Sequence, residues 1–348
     1  MSFTIAISPH GHSQKNTANI MRLTLLALVP GVLAQWYIFG WGVVVQLSLA
    51  MLTAIVAEAF ILKIRGYVLA HALADSSALL TAALVAVAIP PFLPWWMTVV
   101  AVAFAIIVAK QLYGGLGQNL FNPAMVAYVF LLVSFPVAMT SWQAPEVARH
   151  ANLTIQESAA VIFTGHTSQN VNASQLAKLV DGTTMATPLD HLKTDLKQGK
   201  NVADITNSHS FLVSSDQGWR WVNISFVAGG LILFIFRLIP WRTPFAMLAT
   251  LALCSYIGHS IDPTHFVTPE IELLSGATML GAFFIVTDPV TSSTTNRGRL
   301  IFGTIVGLLV FIIRHFGGYP DGVAFSVLLT NILVPFIDKY SQSRVYGY

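Results

Sequence analysis

Charged residues are scarce in this sequence: Asp, Glu, Lys and Arg make up only 9% of its 348 residues, whereas 55% are hydrophobic. Soluble domains carry roughly 25% charged residues, so a water-soluble globule of this size is excluded. Apolar runs recur along the chain, each near the roughly 20 residues that a helix needs to cross a bilayer. Because these runs are continuously apolar rather than alternating, they predict a bundle of membrane-spanning helices and not a β-barrel.

Cysteine is nearly absent as well. The single thiol, Cys254, excludes an intrachain disulfide and a cysteine-ligated cluster held by this chain alone. The ten histidines are scattered without metal-ligand spacing, and the chain has no dinucleotide-binding glycine fingerprint. A net charge of +3 is explained by basic residues at one membrane face rather than by nucleic-acid binding. The sequence therefore predicts neither a metal site nor a nucleic-acid partner.

The hydropathy pattern predicts about ten spans, five on each side of a polar stretch. They cover residues 23–39, 42–62, 77–93, 95–113, 121–140, 220–239, 243–261, 272–287, 299–316 and 320–338. Most tryptophans fall at span ends, Trp219 among them, as interfacial anchors do. The chain is thus divided into an N-terminal membrane repeat (1–140), a large loop (141–218) and a C-terminal membrane repeat (219–348).

Lysine and arginine predict the orientation of these spans. The short loops on one side contain Lys15, Arg22, Lys63, Arg65, Lys110, Arg237, Arg242, Arg297, Arg299, Lys339 and Arg344. The opposite short loops contain only Arg314. Because basic residues collect in cytoplasmic loops, both termini are predicted to lie in the cytoplasm, and the loop 141–218 on the far side of the membrane.

Two pairs of segments indicate an internal repeat. Asp75-Ser-Ser-Ala-Leu-Leu-Thr-Ala is similar to Ser275-Gly-Ala-Thr-Met-Leu-Gly-Ala, and Lys110-Gln-Leu-Tyr-Gly-Gly is similar to Arg314-His-Phe-Gly-Gly. Since each half has an odd number of spans, the two five-helix repeats are predicted to be inverted, with broken helices near the midplane. Either close helix packing or such breaks explain Gly114, Gly115, Gly117, Gly317 and Gly318.

A few intramembrane residues are further candidates for function. Glu58, near the end of the second span, is interpreted as a paired or snorkelling carboxylate in preference to a cation ligand. Asp288 precedes Pro289, so it either forms hydrogen bonds at a helix end or belongs to a site. Phe283 and Phe284 are expected to face lipid or the core rather than to stack on a cofactor.

The most informative segment is Asp181-Gly-Thr-Thr-Met-Ala-Thr187-Pro-Leu in the large loop. Local propensity alone favours a turn whose threonines form hydrogen bonds with nearby backbone. The pattern also resembles the flavinylation motif of the membrane subunits of Rnf and sodium-pumping NADH:quinone reductase complexes. In that family a separate flavin transferase uses FAD to esterify the last threonine, here Thr187, to the phosphate of FMN. The resemblance implies that Asp181, Gly182, Thr184 and Ala186 are the other motif positions.

The resemblance covers nearly the whole chain. It includes Ser8-Pro9-His10, Ile20-Met21, Leu25–Pro30, Gly117–Ala124 and Gly281–Thr291, in the order expected of the family. Chain length and the single flavinylation motif are closer to the RnfD branch of the family than to the NqrB branch of the sodium pump. These motifs are specific together, although none of them would be specific alone.

The resemblance implies a membrane subunit of a ferredoxin- or NAD-linked, ion-translocating electron transport complex in the bacterial inner membrane. Such a subunit is not a stand-alone catalyst: it would carry covalent FMN and depend on other Rnf subunits for electron entry. A second, noncovalent flavin such as riboflavin fits the analogy, but no residue places it. The alternative interpretation is a passive channel or transporter for a small polar solute with a urea-transporter-like fold, which has no use for the Thr187 motif.

Overall fold

The computed structural model describes residues 17–67, 75–143, 145, 153–166 and 187–342, and these ranges are helical apart from turns and loops. The first half contains α1 (Thr17–Phe39), α2 (Gly42–Ile64), α3 (Ser77–Ala88), α4 (Trp95–Phe104), α5 (Pro123–Ser134) and α6 (Pro136–Thr140). A π-helical segment, Ala105–Gln111, continues α4. The all-helical prediction is therefore confirmed.

The described parts of the polar stretch and of the second half are helical too. The stretch contains α7 (Ile155–Thr164), α8 (Pro188–Lys197), α9 (Val202–Thr206) and α10 (His209–Ser214), and a π-helical turn, Ser215–Trp219, leads into the second half. There follow α11 (Arg220–Ile235), α12 (Arg242–Ile261), α13 (Pro269–Leu274), α14 (Thr278–Leu280), α15 (Asn296–Phe316) and α16 (Val323–Ser341). Another π-helical segment, Gly281–Ile285, continues α14.

Five of these helices, α1, α2, α12, α15 and α16, are long and apolar enough to cross a bilayer. Four shorter apolar helices are α3, α4 with its π-helical segment, α5 and α11. Every predicted span contains helix, but the helix of the third ends at Ala88, the fifth is split before Pro136 and the eighth is split between α13 and α14. A proline has no N–H to continue a helix, which explains the first split. The chain is a membrane protein; the count of ten spans and their orientation stay predictions.

The two halves meet through two pairs of helices. Helix α1 packs against α11, and α5 packs against α16, while α2 packs on α3 and α12 on α15 within the halves. The approach of α1 and α11 is close: a Cβ atom added at Gly229 would lie 2.9 Å from Cζ of Phe284 and closer still to the backbone of Ala27. Small residues let membrane helices approach in this way.

The break between α13 and α14 is stabilised by a buried amide. Asn223 of α11 donates from Nδ2 to the carbonyl oxygens of Leu274 (3.0 Å) and Gly276 (3.1 Å). Its Oδ1 accepts a hydrogen bond from the N–H of Met279 (3.2 Å). Lipid offers no hydrogen-bond partners, so an interrupted helix is tolerated only where protein groups replace the missing bonds. Asn223 supplies that replacement here.

Glycines after the π-helical segment of α4 form a turn. Gly114, Gly115 and Gly117 have φ values of 123°, 103° and 88°. Nothing lies within 4 Å of a Cβ built at Gly117 or at Gly318. The interpretation of close helix packing is therefore wrong at these two positions, because no neighbouring helix approaches them. The turn conformation requires glycine at Gly114, Gly115 and Gly117.

Two helix starts share a left-handed residue. Ser76 (φ 61°) precedes α3, and Gly276 (φ 60°) precedes α14. These residues also occupy equivalent positions in the similar segments that begin at Asp75 and Ser275. The left-handed region costs a residue with a side chain roughly 1–2 kcal/mol. Ser76 therefore bears this cost, whereas Gly276 does not.

We expect Ser76→Gly to leave the free energy of unfolding unchanged or to raise it by up to about 1 kcal/mol, because relief of the left-handed strain outweighs the added freedom of the unfolded chain. Gly276→Ser is expected to lower the free energy of unfolding by more than about 1 kcal/mol. A Cβ atom at Gly276 would lie 2.6 Å from Oδ2 of Asp321 and 2.7 Å from Cδ1 of Leu189. Thermal unfolding in detergent measures both variants, and equal shifts in Tm would contradict the expectation.

Candidate functional site

Thr187 is the N-cap residue of α8, and Pro188 occupies the first helical position. The Thr187 hydroxyl accepts a hydrogen bond from the N–H of Asp190 (3.2 Å) and donates one to Asp190 Oδ2 (2.9 Å). Threonine is a favoured N-cap, and proline is favoured directly after it. Thr187 therefore caps a helix, whereas the turn that local propensity predicts over the motif falls mostly on residues 181–186, outside the described residues. The remaining motif residues, Asp181, Gly182, Thr184 and Ala186, lie outside the described residues.

Thr187 lies at the edge of a cleft between the two halves of the chain, called here the Thr187 cleft. It encloses about 780 Å³ of atom-free space, its open mouth included. Its lining comes from α1, α3, α5, α6, α8, α11, the α13–α14 break, α14 and the start of α16. The lining includes Tyr128, Trp142, Thr187, Leu189, Asp190, Trp219, Phe226, Ala277 and Asp321.

Aromatic rings form one wall of the Thr187 cleft. The Trp142 and Trp219 ring centroids are 4.8 Å apart, and each ring lies 5.6 Å from Phe39. Both tryptophans are buried. The prediction that Trp219 is an interfacial anchor is therefore wrong, because its ring packs inside the protein on Trp142 and Phe39. The wall gives the cleft a rigid apolar surface.

Two carboxyl groups lie near Thr187. Burial raises the pKa of Asp190, hydrogen bonds from Thr187 lower it in part, and the nearby Asp321 raises it further. Lys193, one turn along α8, opposes these effects weakly. The edge of the cleft thus combines a helix N-terminus, a hydroxyl and a carboxyl group whose proton affinity is increased by its surroundings.

Lys193 attaches α8 to the end of α15. Its Nζ donates hydrogen bonds to the carbonyl oxygens of Arg314 (3.2 Å) and Tyr319 (2.7 Å). The last carbonyls of a helix have no partner within the helix, and a lysine supplies one here. Burial lowers the pKa of Lys193, and the neighbouring Lys197 lowers it further. The side chain thereby joins the segment that begins at Thr187 to the second half.

Lys193→Met is expected to increase amide hydrogen exchange across residues 188–197, because two hydrogen bonds of roughly 0.5–1.5 kcal/mol each are lost. The methionine retains most of the apolar side chain. The matched control is Lys197→Met, on the same helix but exposed, which should leave exchange unchanged. Exchange measured by mass spectrometry checks both variants, and identical rates in the two would refute the anchoring role.

A buried ionic group, the Arg314 cluster (Glu272, Thr278, Arg314, Asp321), supports the rim of the cleft. Arg314 Nη1 donates to Glu272 Oε1 (3.1 Å). Its Nη2 donates to Thr278 Oγ1 (2.8 Å) and to Asp321 Oδ1 (3.0 Å). Asp321 also accepts from the N–H of Ala277 at the α13–α14 break (2.8 Å). The cluster therefore ties α13, α14, α15 and the start of α16 together.

A second buried group, the Lys110 cluster (Glu58, Ser77, Lys110, Gln111), lies in the first half. Lys110 forms an ion pair with Glu58 and donates a hydrogen bond to Ser77 Oγ (2.6 Å). Gln111 Nε2 donates to Glu58 Oε1 (2.9 Å). The interpretation of Glu58 as a paired carboxylate is confirmed. Lys110 and Arg314, counted as loop charges from the sequence, are both buried, because each neutralises a carboxylate inside the bundle.

A second cleft of about 860 Å³, its mouth included, is called here the Asp288 cleft. Asp288 accepts hydrogen bonds from the N–H of Val290 (3.1 Å), Thr291 Oγ1 (3.0 Å) and Asn122 Nδ2 (3.3 Å). Hydrogen bonding at the helix end is thus confirmed for Asp288. The expectation that Phe283 and Phe284 face the core is also correct, since both are buried. Other lining residues are Thr24, Ser77, Lys110, Asn119, Asn122, Phe284 and Thr287.

Sequence reasoning did not find several residues of the Thr187 cleft. Tyr128, Trp142, Asp190 and Asp321 were not predicted to lie near Thr187. Asp190 carried a usable signal, because an acidic residue three positions after a threonine is a capping pattern. Tyr128, Trp142 and Asp321 are far from Thr187 in the chain, and no local pattern indicates their proximity.

Comparison with known proteins places the chain among related sequences. The NQR2, RnfD, RnfE family matches residues 4–347. The chain is 69% identical over 348 residues, covering both proteins fully, to the D subunit of the ion-translocating oxidoreductase complex of Tolumonas auensis. It is 53% identical over 349 residues to the protein of the same name from Escherichia fergusonii, and 54% identical over 349 residues to that from Pectobacterium atrosepticum. Each of these two alignments covers 100% of the chain and 99% of the relative.

Proposed function

Because the chain belongs to the NQR2, RnfD, RnfE family, we propose that it is the membrane D subunit of an ion-translocating oxidoreductase complex, with FMN attached covalently to Thr187. The observation that carries the attachment is the position of the Thr187 hydroxyl. It lies at the edge of an aromatic-lined cleft and at the N-terminus of a ten-residue helix. A phosphate on that hydroxyl would meet the positive end of the helix.

The residues of the Thr187 cleft fit such a group. Trp142, Trp219 and Phe226 present apolar ring surfaces that suit a flat heterocycle. Tyr128 and Asp321 add polar atoms that could orient its polar edge. Bound FMN would supply one- and two-electron redox chemistry, as the resemblance implies. The chain itself would orient the ring, exclude water from it and keep it attached.

We assign the second, noncovalent flavin to the Asp288 cleft as part of this proposal. Its amide and hydroxyl groups, on Asn119, Asn122, Thr24 and Thr287, could form hydrogen bonds with a polyhydroxyl chain or a ring edge, while Phe284 and neighbouring leucines supply an apolar wall. The lining of the Asp288 cleft includes the starts of α3 and α5, whereas that of the Thr187 cleft includes residues near the ends of both helices. Two cofactors in these clefts would let electrons pass across the membrane.

The same proposal includes ten spans in two inverted five-helix repeats, with both termini cytoplasmic and the Thr187 loop periplasmic. Three structural parallels support the repeat. The halves meet through α1 with α11 and through α5 with α16. Left-handed residues precede α3 and α14. Lys110 and Arg314, which align in the sequence, each bind a carboxylate and a hydroxyl.

Partner proteins complete this function. The chain has no dinucleotide-binding fingerprint and no cluster ligands of its own, so other subunits of the complex would exchange electrons with ferredoxin or NAD. A flavin transferase would load Thr187 from FAD. The ion that moves would be sodium or a proton. A passive solute channel, the rival interpretation, requires none of these partners.

Peptide mass mapping tests the attachment. After coexpression with a flavin transferase, the peptide covering residues 175–195 should gain the mass of one FMN less one water. The expected modification site within it is Thr187. An unmodified peptide, in a host that modifies a control substrate, would contradict the proposal. Colourless protein that conducts a small solute in vesicles would favour the channel.

A further inference from the structure

The Thr187 hydroxyl already points its proton at a carboxylate. Oγ1 of Thr187 donates to Oδ2 of Asp190 at 2.9 Å, while the Asp190 N–H donates to the same Oγ1 at 3.2 Å. Simple capping requires only the second of these bonds. The first one places a proton acceptor at hydrogen-bond distance from a hydroxyl that is a poor nucleophile while it keeps its proton.

We propose that Asp190 is the general base that activates the Thr187 hydroxyl when the flavin is attached, so that the acceptor protein supplies a catalytic residue for its own modification. This inference rests on the proposed attachment of FMN to Thr187. It adds a role for a residue outside the segment from Asp181 to Thr187 that carries the family resemblance.

The step balances with FAD as the flavin dinucleotide donor. Oγ1 of Thr187 attacks the phosphorus on the flavin side of the pyrophosphate, and a new O–P bond forms. The P–O bond to the adenylate breaks, and AMP leaves with the electron pair. The hydroxyl proton passes to Oδ2 of Asp190. No oxidation or reduction occurs, and the product is a phosphodiester between Thr187 and the flavin.

The surroundings of Asp190 suit a base of this kind. Among the described residues, the charged and titratable groups that face it are Lys193 on its own helix, Asp321 before α16 and Tyr128 on α5. Burial and the charge of Asp321 raise the pKa of Asp190, and the Thr187 hydrogen bonds and Lys193 lower it. A raised pKa increases the affinity of the carboxylate for the proton that it receives.

The hydroxyl and its candidate base belong to the same turn of one helix. Thr187 and Asp190 lie within one helical turn, and both hydrogen bonds join only these two residues. A transferase must bring its donor to the Thr187 hydroxyl, which lies at the edge of a cleft. If α8 leaves the cleft to meet that enzyme, the carboxylate travels with the hydroxyl.

The test uses the full-length flavin-free protein, a flavin transferase and FAD, with the initial rate of attachment read by intact mass. Asp190→Asn keeps the backbone N–H bond to Thr187 but cannot accept a proton at neutral pH. We expect its rate to fall by about 100-fold or more, since general-base catalysis contributes typically 10²–10⁴-fold. The wild-type rate should rise with pH through the pKa of Asp190, and this rise should be absent in Asp190→Asn.

Asp195→Asn is the matched control, because Asp195 lies on the same helix and pairs with His191 (3.3 Å) and Lys200 (3.0 Å) rather than with Thr187. It should react at the wild-type rate. Asp190→Glu retains a carboxylate and should recover at least part of the rate. Attachment to Asp190→Asn at the wild-type rate, or slow attachment that keeps the pH-dependent rise, would overturn the role of base. Failure of the wild-type protein to react would instead contradict the proposed attachment of FMN to Thr187 itself.

Discussion

Thr187→Ala should eliminate all covalently bound flavin, whereas Thr187→Ser should retain it. Alanine has no oxygen that could form the phosphodiester, and serine keeps both the hydroxyl and the capping bond of α8. In-gel fluorescence of the denatured protein after coexpression with a flavin transferase measures the result. We expect fluorescence at background for alanine and near wild type for serine.

The alanine variant should still fold, which makes its loss of flavin interpretable. Losing an N-cap threonine typically costs about 1 kcal/mol, a small change for one peripheral helix of a large membrane bundle. Its Tm without flavin should therefore remain close to that of the flavin-free wild type. Fluorescence that survives unchanged in Thr187→Ala would place the attachment at another residue.

Arg314→Ala should lower the free energy of unfolding by about 3–5 kcal/mol. The substitution removes the arginine that pairs with Glu272 and Asp321, and it leaves Glu272, whose side chain is only 1% exposed, with the imidazole of His315 at 3.5 Å beside it. Removing one partner of a buried ion pair has a cost of this size, because the remaining charge is neither hydrated nor neutralised. Thermal unfolding in detergent, with yield from the membrane fraction as a second measurement, checks the expectation.

The matched control is Arg220→Ala. Arg220 pairs with Glu270 at 2.7 Å, but their side chains are 44% and 61% exposed, and exposed pairs contribute roughly 0–1 kcal/mol. Combining Arg314→Met with Glu272→Gln should recover part of the lost stability, because the uncompensated charge at Glu272 is removed as well. Equal losses from Arg314→Ala and Arg220→Ala would show that burial does not decide the contribution of the Arg314 cluster.

The helices could be predicted from the sequence because lipid imposes a simple rule on it. The backbone N–H and C=O groups of a continuous apolar run must form hydrogen bonds with each other in lipid, so the run forms a helix wherever it occurs. The interruptions were harder to locate. The gap between α13 and α14 depends on Asn223, a polar residue of another helix that binds the exposed backbone. Its partners are far away in sequence, and no local pattern connects them.

The candidate site, too, could be predicted from the sequence only in part. Thr187 was found because a short motif surrounds it, and Asp190 lies within the same helical turn. The cleft was not predicted, since Tyr128, Trp142 and Asp321 reach it from three distant parts of the chain. The Lys110 and Arg314 clusters were missed because a lone basic residue at a span end looks like a loop charge. Its buried carboxylate partner becomes visible only once the helices are packed.

The hydrogen bonds from Lys193 to the end of α15 have a mechanical consequence. They join the middle of α8 to the last turn of α15 and to Tyr319 beyond it. If FMN is attached at Thr187 as proposed, a tilt or slide of α15 would shift the flavin together with α8 and change its distance to the next redox centre. Since electron-transfer rates fall steeply with separation, a displacement of an ångström or so, on the order of the helix shifts in switching proteins, would then gate electron flow through the movement of a single helix.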